Sequence, residues 1–264
     1  MRLALAFLCA TCLLAQNYTS YNGVPVERAS YLRKQLMTRA PNGVFGDVSL
    51  VAYYPLTEGQ GRTGLDLSAS WGANAVASNG AAAYSSGKTG PYAASCLSTV
   101  YLTTASATGL ATGNAARTLS AWFQRTSDTG SYYGIASYGS SANNGLFGLV
   151  LVGAVSAGGG GARTIIIDDE YASTPFVLTQ VAVTDTNWHY LAAVADGSSN
   201  IIVYLDGASV YSGTHTWATG TGKITVCADY TLYTLPGSVN NVRIYSRALS
   251  APEIAAIYAA QKGY

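Results

Sequence analysis

The pattern of apolar and polar positions changes character near Asp47. Beyond it, short apolar runs recur about every 10 to 20 residues: LVAYYPL, TVYLTT, TLSAWFQR, GLFGLVLVGAV, RTIIID, HYLAAVA, NIIVYLD, KITVCADY and NVRIY. Clusters of Gly, Asn, Asp and Ser separate them, which is the spacing of an all-β sandwich or barrel. Within NIIVYLDG, Ile201, Val203 and Leu205 share one face, and Ile202, Tyr204 and Asp206 share the other. Asp196-Gly197 and Asp206-Gly207 predict tight hairpin turns, because glycine takes the positive φ such turns require. The run from Leu146 to Val155 is too short to cross a bilayer, which takes roughly 20 residues, and glycines interrupt it, so it predicts a buried strand. Gly158 to Gly161 predicts a flexible loop. Only the last element predicts a helix, where Ser250-Ala251-Pro252-Glu253 forms a capping-box pattern ahead of IAAIYAA.

Ahead of Asp47 two other patterns stand. Met1-Arg2 is followed by apolar residues from Leu3 to Ala15 and then by polar Gln16-Asn17, the shape of a secretory signal peptide spanning 1–15. A retained hydrophobic anchor or an internal helix is the alternative. Residues 16–47 carry four basic residues (Arg28, Arg33, Lys34, Arg39) against Glu27 and Asp47, whereas residues 48–264 hold 9 basic and 11 acidic ones. Leu32 and Leu36 lie four apart there, which predicts a short amphipathic helix ending at Pro41-Asn42-Gly43, in an extension that packs on the main domain or is trimmed from it.

Composition narrows the function classes. With 49% hydrophobic and 10% charged residues over 264 positions, the chain is long enough for one large core and is not disordered. A net charge of +1 disfavours a nucleic-acid partner, whose binding is dominated by basic contacts to phosphate. The scarcity of charge, with 29 Gly and 20 Tyr, suits an extracellular β-protein, and once the signal is removed no membrane span is expected. If Cys9 and Cys12 leave with the signal, Cys96 and Cys227 remain for an oxidising compartment. One disulfide between them is the economical reading, and two buried thiols the competing one.

The order of the motifs resembles the concanavalin A-like jelly rolls, and among them the laminin-G-like domains. The resemblance covers about residues 48 to 260 and rests on five segments: LVAYYPLTEGQG, Asp66-Leu67-Ser68 with the following GANA, TLSAWF, NWHYLAAVADGSSNIIVYLDG and GSVNNVRIYSRALSAPEIAAIY. It implies one antiparallel β-sandwich over 48–264 with a short C-terminal helix. It also implies a secreted, non-catalytic domain that engages glycans or cell-surface glycoproteins. Members commonly hold a structural calcium with acidic residues just before the Val-Arg-Ile-Tyr stretch. This chain has Asn240 and Asn241 there, and Glu58, Asp66, Asn240 and Asn241 are the candidate ligands for one Ca²⁺.

Candidate chemistry is sparse. Retaining glycosidases of this superfold resemble Glu-x-Asp-x-Glu on one strand, and only Asp168-Asp169-Glu170 comes near; its adjacent carboxylates point to opposite faces, so a polar turn is expected. A Ser-His-Asp triad would need His189, inside the Trp188-His189-Tyr190 motif where a structural role is expected, or His215 in a Thr-rich turn, and no Gly-x-Ser-x-Gly elbow is present. Gly87-Lys88-Thr89 lacks the leading glycine of a phosphate loop. Binding remains. Trp122 and Trp188 belong to strands and are expected in the core, whereas Trp71 and Trp217 fall in turns where an exposed ring would stack on a sugar, and Tyr132, Tyr133, Tyr230 and Tyr233 lie near loops. Covering the sandwich or making subunit contacts is the other use of these aromatics. With so few gatekeeping charges on its strands, self-association into a fibre or surface layer is the alternative function.

Overall fold

The computed structural model describes residues 47–68, 74–80, 83–96, 100–128, 130, 132–154, 163–169, 177–230 and 232–263, together with two short strands near the start. The apolar stretch at 1–15, the helix expected around Leu32 and Leu36, Trp71, Glu170 and the loop at 158–161 lie outside the described residues.

In chain order the strands are β1 (Ser20–Tyr21), β2 (Val24–Pro25), β3 (Leu50–Tyr54), β4 (Thr63–Gly64), β5 (Val76–Ser78) and β6 (Ala83–Ser86). Then follow β7 (Tyr92–Cys96), β8 (Leu102–Thr103), β9 (Arg117–Arg125), β10 (Tyr132–Gly139), β11 (Leu146–Val152) and β12 (Thr164–Asp168). The last are β13 (Val177–Ala182), β14 (Trp188–Ala195), β15 (Asn200–Leu205), β16 (Ala208–Thr214), β17 (Lys223–Val226) and β18 (Gly237–Tyr245), ahead of helix α1 (Ala251–Ala259). Strands β1 and β2 pair with each other.

The remaining strands form two antiparallel sheets of eight. One runs β13-β12-β11-β10-β17-β8-β5-β4; the other runs β16-β15-β14-β9-β18-β7-β6, with β3 also on β18. Alternation decides what lies between them. Leu119, Ala121 and Phe123 of β9 and Ile201 and Val203 of β15 meet Tyr138, Phe147, Leu149, Ile165, Ile167 and Ile224 of the facing sheet in one core, as the period of two requires.

The alternate positions of the second sheet build another core on its outer side. Trp122, Tyr190, Tyr204, Tyr53 and Tyr245 pack there with Ile254 and Ile257 of α1, so the C-terminal helix covers that face. Trp122 is therefore buried as expected, but under the helix rather than between the sheets; its indole donates to Gln261 Oε1 at 2.6 Å. The capping pattern holds α1 in place: Glu253 accepts from the Ser250 backbone N–H at 2.7 Å, and Arg247 ties Glu253 to Asp47. Both hairpin turns form where Asp-Gly predicts them, with positive φ at Gly197, Asp206 and Gly207. The disulfide reading holds, since Cys96 at the end of β7 is bonded to Cys227 just after β17, joining the two sheets. Among the described residues, no helix is long and apolar enough to cross a membrane.

Candidate functional site

The disulfide fixes one end of the segment that leaves β17, and this segment carries the most exposed aromatic side chain among the described residues. The Cys227 N–H donates to Ile135 O at 2.9 Å, and Leu235 N–H closes the loop back onto Cys227 O at 3.0 Å. Between them the Asp229 carboxylate, only 2% exposed, accepts from the Tyr233 N–H at 2.9 Å, and Gly134 N–H donates to Tyr233 O at 2.7 Å. Gly134 is required here: a Cβ at that position would lie 1.9 Å from the backbone nitrogen of Asp229. So braced, the loop turns Leu232 and Tyr233 outward, at 40% and 51% exposure. The Tyr233 ring stands 6.0 Å from that of Tyr132, inclined at 51°, and Lys223 Nζ lies 4.3 Å from the centre of the Tyr230 ring. Tyr132 is backed by a small apolar cluster of Val150, Val152 and Ile166. Two splayed phenols, one on the braced loop and one at the start of β10, offer apolar faces to C–H groups and hydroxyls to polar ones.

Other aromatic candidates are placed differently. Trp217, expected as an exposed ring, is only 2% exposed and packs edge-on against Phe147 at 5.1 Å, because its turn folds inward over the core. Tyr133 is 5% exposed and belongs to the central core, since it occupies the inward position of β10 while Tyr132 takes the outward one. Leu232 and Asp229 belong to the tyrosine-bearing loop without having been singled out in the sequence. The Asp-Tyr-Thr-Leu-Tyr order held an available signal, an aspartate able to cap the N–H four residues on.

Three of the candidate calcium ligands, Asp66, Asn240 and Asn241, are joined through Tyr53 and Thr89 in one hydrogen-bond network. Asp66, 1% exposed, accepts from the N–H groups of Tyr53, Ser68 and Asn74 at 3.0, 3.0 and 3.3 Å. Glu58 accepts from Leu65 N–H at 3.1 Å. Asn241 Oδ1 accepts from the Tyr53 hydroxyl at 2.6 Å, and Asn240 Oδ1 from Thr89 N–H and Oγ1 at 3.0 and 2.7 Å. The Tyr53–Asp66 and Tyr53–Asn241 hydrogen bonds brace β3 against β18. Among the described residues, no group of three His, Cys, Asp or Glu side chains is arranged to hold a metal ion.

Titratable groups resolve into two histidine arrangements. His189 is held between Asp206, 2.8 Å from Nδ1, and Asp185, 2.9 Å from Nε2. The Asp206 hydrogen bond raises its pKa; partial burial opposes the rise, and Asp185 adds to it. This is a structural clamp, as the motif suggests, since Asp206 also accepts from Tyr190 N–H at 2.9 Å. Asp168 and Asp169 do not form the expected polar turn. Asp168 ends β12 at 6% exposure, and Asp169 follows at 1%, with His215 Nε2 3.1 Å from its Oδ2. Both aspartates are thus buried.

This fold is an antiparallel jelly-roll sandwich with an aromatic patch on one loop, the class of lectin-like domains. A family profile, Laminin_G_3 of the concanavalin A-like lectin/glucanases superfamily, matches residues 98–255, more than half of the chain, and the chain belongs to that family. No curated protein matches the sequence. Among solved structures the chain is similar to domain 4 of AbnA, a GH43 extracellular arabinanase from Geobacillus stearothermophilus in complex with arabinotriose, at 20% identity and TM-score 0.61 over 80% of this chain and 98% of that one. It is also similar to Trypanosoma rangeli sialidase in complex with the inhibitor DANA, at 15% identity and TM-score 0.53 over 79% of this chain and 32% of that one. A third likeness, at 11% identity and TM-score 0.58, is to a structure of botulinum neurotoxin type C, described as dependent for cell entry on two ganglioside molecules; 81% of this chain and 51% of that one are covered. At these identities the likeness establishes the fold.

Proposed function

We propose that this chain is a secreted, non-catalytic domain that binds glycans or cell-surface glycoproteins. The observation that carries the reading is the Tyr132–Tyr233 pair, in which Tyr132 opens β10 and Tyr233 is projected by a loop that a disulfide, a buried aspartate and a glycine hold in place. Rigid exposed aromatics bind sugars at low cost in conformational entropy. The family is lectin-like, and arabinotriose and gangliosides figure in the descriptions of similar structures. The Cys96–Cys227 bond suits an oxidising compartment, in keeping with a leader at 1–15. Burial of Asp168 and Asp169 and the lack of a paired-carboxylate motif support the non-catalytic part. A glycan array with the mature protein, with and without calcium, followed by titration of hits against Tyr233→Ala, tests the reading. Binding that Tyr233→Ala leaves intact would move the site elsewhere, and an array with no hits would remove the function.

The second reading is self-association through a sheet edge. Strand β16 ends its sheet with the uncharged sequence ASVYSGT, without the lysines that usually protect an edge. Sedimentation at increasing concentration tests it; a strictly monomeric protein sinks it.

A further inference from the structure

Tyr92 is the second exposed aromatic side chain among the described residues, at 37% against 51% for Tyr233. It opens β7, on the sheet opposite to that of Tyr132. Ala94 and Cys96, on the same face of the strand, enter the core between the sheets, and Tyr92 lies beyond them. Its ring is nevertheless held. Gly59, at φ +66°, has room for no side chain, because a Cβ there would lie 2.3 Å from the Tyr92 ring, and so the ring rests on the glycine itself. The backbone is pinned too: Tyr92 O accepts from Asn240 Nδ2 at 3.3 Å, and the adjacent Pro91 O accepts from Gly87 N–H at 3.4 Å. Strand pairing decides what borders the ring. Ser86 stands opposite Tyr92 and Tyr84 opposite Ala94, so the period of two puts Tyr84, Ser86 and Tyr92 on one face of the β6–β7 hairpin. Ser86 is exposed, Tyr84 is half-buried, and Gln60, next to Gly59, is exposed.

We propose that Tyr92, bordered by Ser86 and Gln60, is a second stacking subsite for an uncharged sugar ring, separate from the Tyr132–Tyr233 pair. The inference rests on the glycan-binding reading and extends it to a second place on the molecule. A sugar ring presents C–H groups on its face and hydroxyls around its rim; the tyrosine face takes the first, and the Ser86 hydroxyl and Gln60 carboxamide suit the second. Because Gly59 already fixes the ring, little conformational entropy is lost on binding. The charged side chains that flank these residues in sequence are engaged elsewhere. Glu58 is buried and accepts from Leu65 N–H, Arg62 Nε donates to Gly80 O at 2.8 Å, and Lys88 Nζ donates to Lys262 O at 2.8 Å. An uncharged sugar is the class that such a surface suits.

The test uses the mature protein with ¹³C-labelled tyrosine rings, Tyr92→Phe identifying the Tyr92 signals. Arabinotriose is the uncharged probe, replaced by the strongest uncharged hit of the glycan array if it does not bind, and trigalacturonate is the probe charged on every ring. The uncharged sugar is expected to shift the Tyr92 signals, in the wild type and in Tyr233→Ala alike, and trigalacturonate to leave them unmoved. In the Tyr233→Ala background, Tyr92→Ala is expected to weaken the remaining binding about tenfold, the effect of losing one aromatic contact, whereas Tyr92→Phe keeps the stacking face and the affinity. If a sugar saturates the protein and the Tyr92 signals never move, the subsite is refuted while the glycan-binding reading stands on Tyr132 and Tyr233. An equal shift with trigalacturonate, or an array on which only charged glycans bind, overturns the preference for uncharged sugars. If no glycan binds on the array or in titration, both the subsite and the reading fall. The wild-type spectrum decides the matter even if Tyr92→Ala does not fold.

Discussion

Cys96 and Cys227, 131 residues apart in sequence, are bonded with their Cα atoms 5.2 Å apart, and the bond ties β7 of one sheet to the segment after β17 of the other. Both residues are 0% exposed, so the link lies inside the core and at the root of the tyrosine-bearing loop. In the chain-entropy picture a closed loop of this size stabilises by about 4 to 5 kcal/mol. Replacing both cysteines by alanine is expected to lower the melting temperature by roughly 10–20 °C. A thermal scan showing no loss would refute that coupling.

Gly134→Ala is expected to destabilise by at least the ~1–3 kcal/mol of an overpacked core, because the new Cβ meets backbone at Asp229 rather than a side chain that can swing away. The same substitution displaces the Asp229–Tyr233 hydrogen bond, so glycan affinity falls with stability. Chemical denaturation and titration of the same variant check both, and retention of full affinity would separate the loop from the ligand.

Stability is expected to depend on pH through His189. Its pKa is raised on folding, chiefly by the Asp206 hydrogen bond. A raised imidazole contributes fully below its ordinary value of 6.5, and the contribution is lost as pH rises through the folded value. His189→Gln should therefore destabilise by about 1 kcal/mol near pH 6, discounted for the exposure of Asp185, and should flatten the decline above pH 6.5. Denaturant midpoints between pH 5.5 and 9 measure this; parallel profiles for the two proteins would exclude His189 as the source.

Glu253 gives the opposite sign at acid pH. The Arg247 hydrogen bond is the main cause that lowers its pKa to about 2. A depressed carboxylate contributes above its ordinary value of 4.5 and loses that contribution as pH falls from there through about 2. Glu253→Ala is expected to cost about 1 kcal/mol, mostly through the lost cap of α1. Helix fraying by hydrogen exchange at residues 251–254 is the sensitive readout, and unchanged exchange there would show that Ser250 and Pro252 cap the helix alone.

Much of the fold was legible in the residues because its signals are local. The two faces of β15, the Asp-Gly turns, the Ser250 cap and the strand at Leu146 each follow from neighbours a few positions away, and all are found where they were expected. The candidate site was less legible. Tyr133 and Tyr132 are adjacent and equally aromatic, yet one lies in the core and one faces out, a choice made by the phase of β10 against its neighbours.

By itself the sequence determined that strands would alternate into a two-faced sandwich closed by a short helix, since period-two burial and turn chemistry act within each segment. Only the tertiary structure decided that Trp217 turns inward, that Cys96 meets Cys227 and that Asp169 faces His215 across 46 positions. Those contacts depend on which strands lie side by side and which loops share one end of the sandwich, relations among distant segments that local periodicity does not encode.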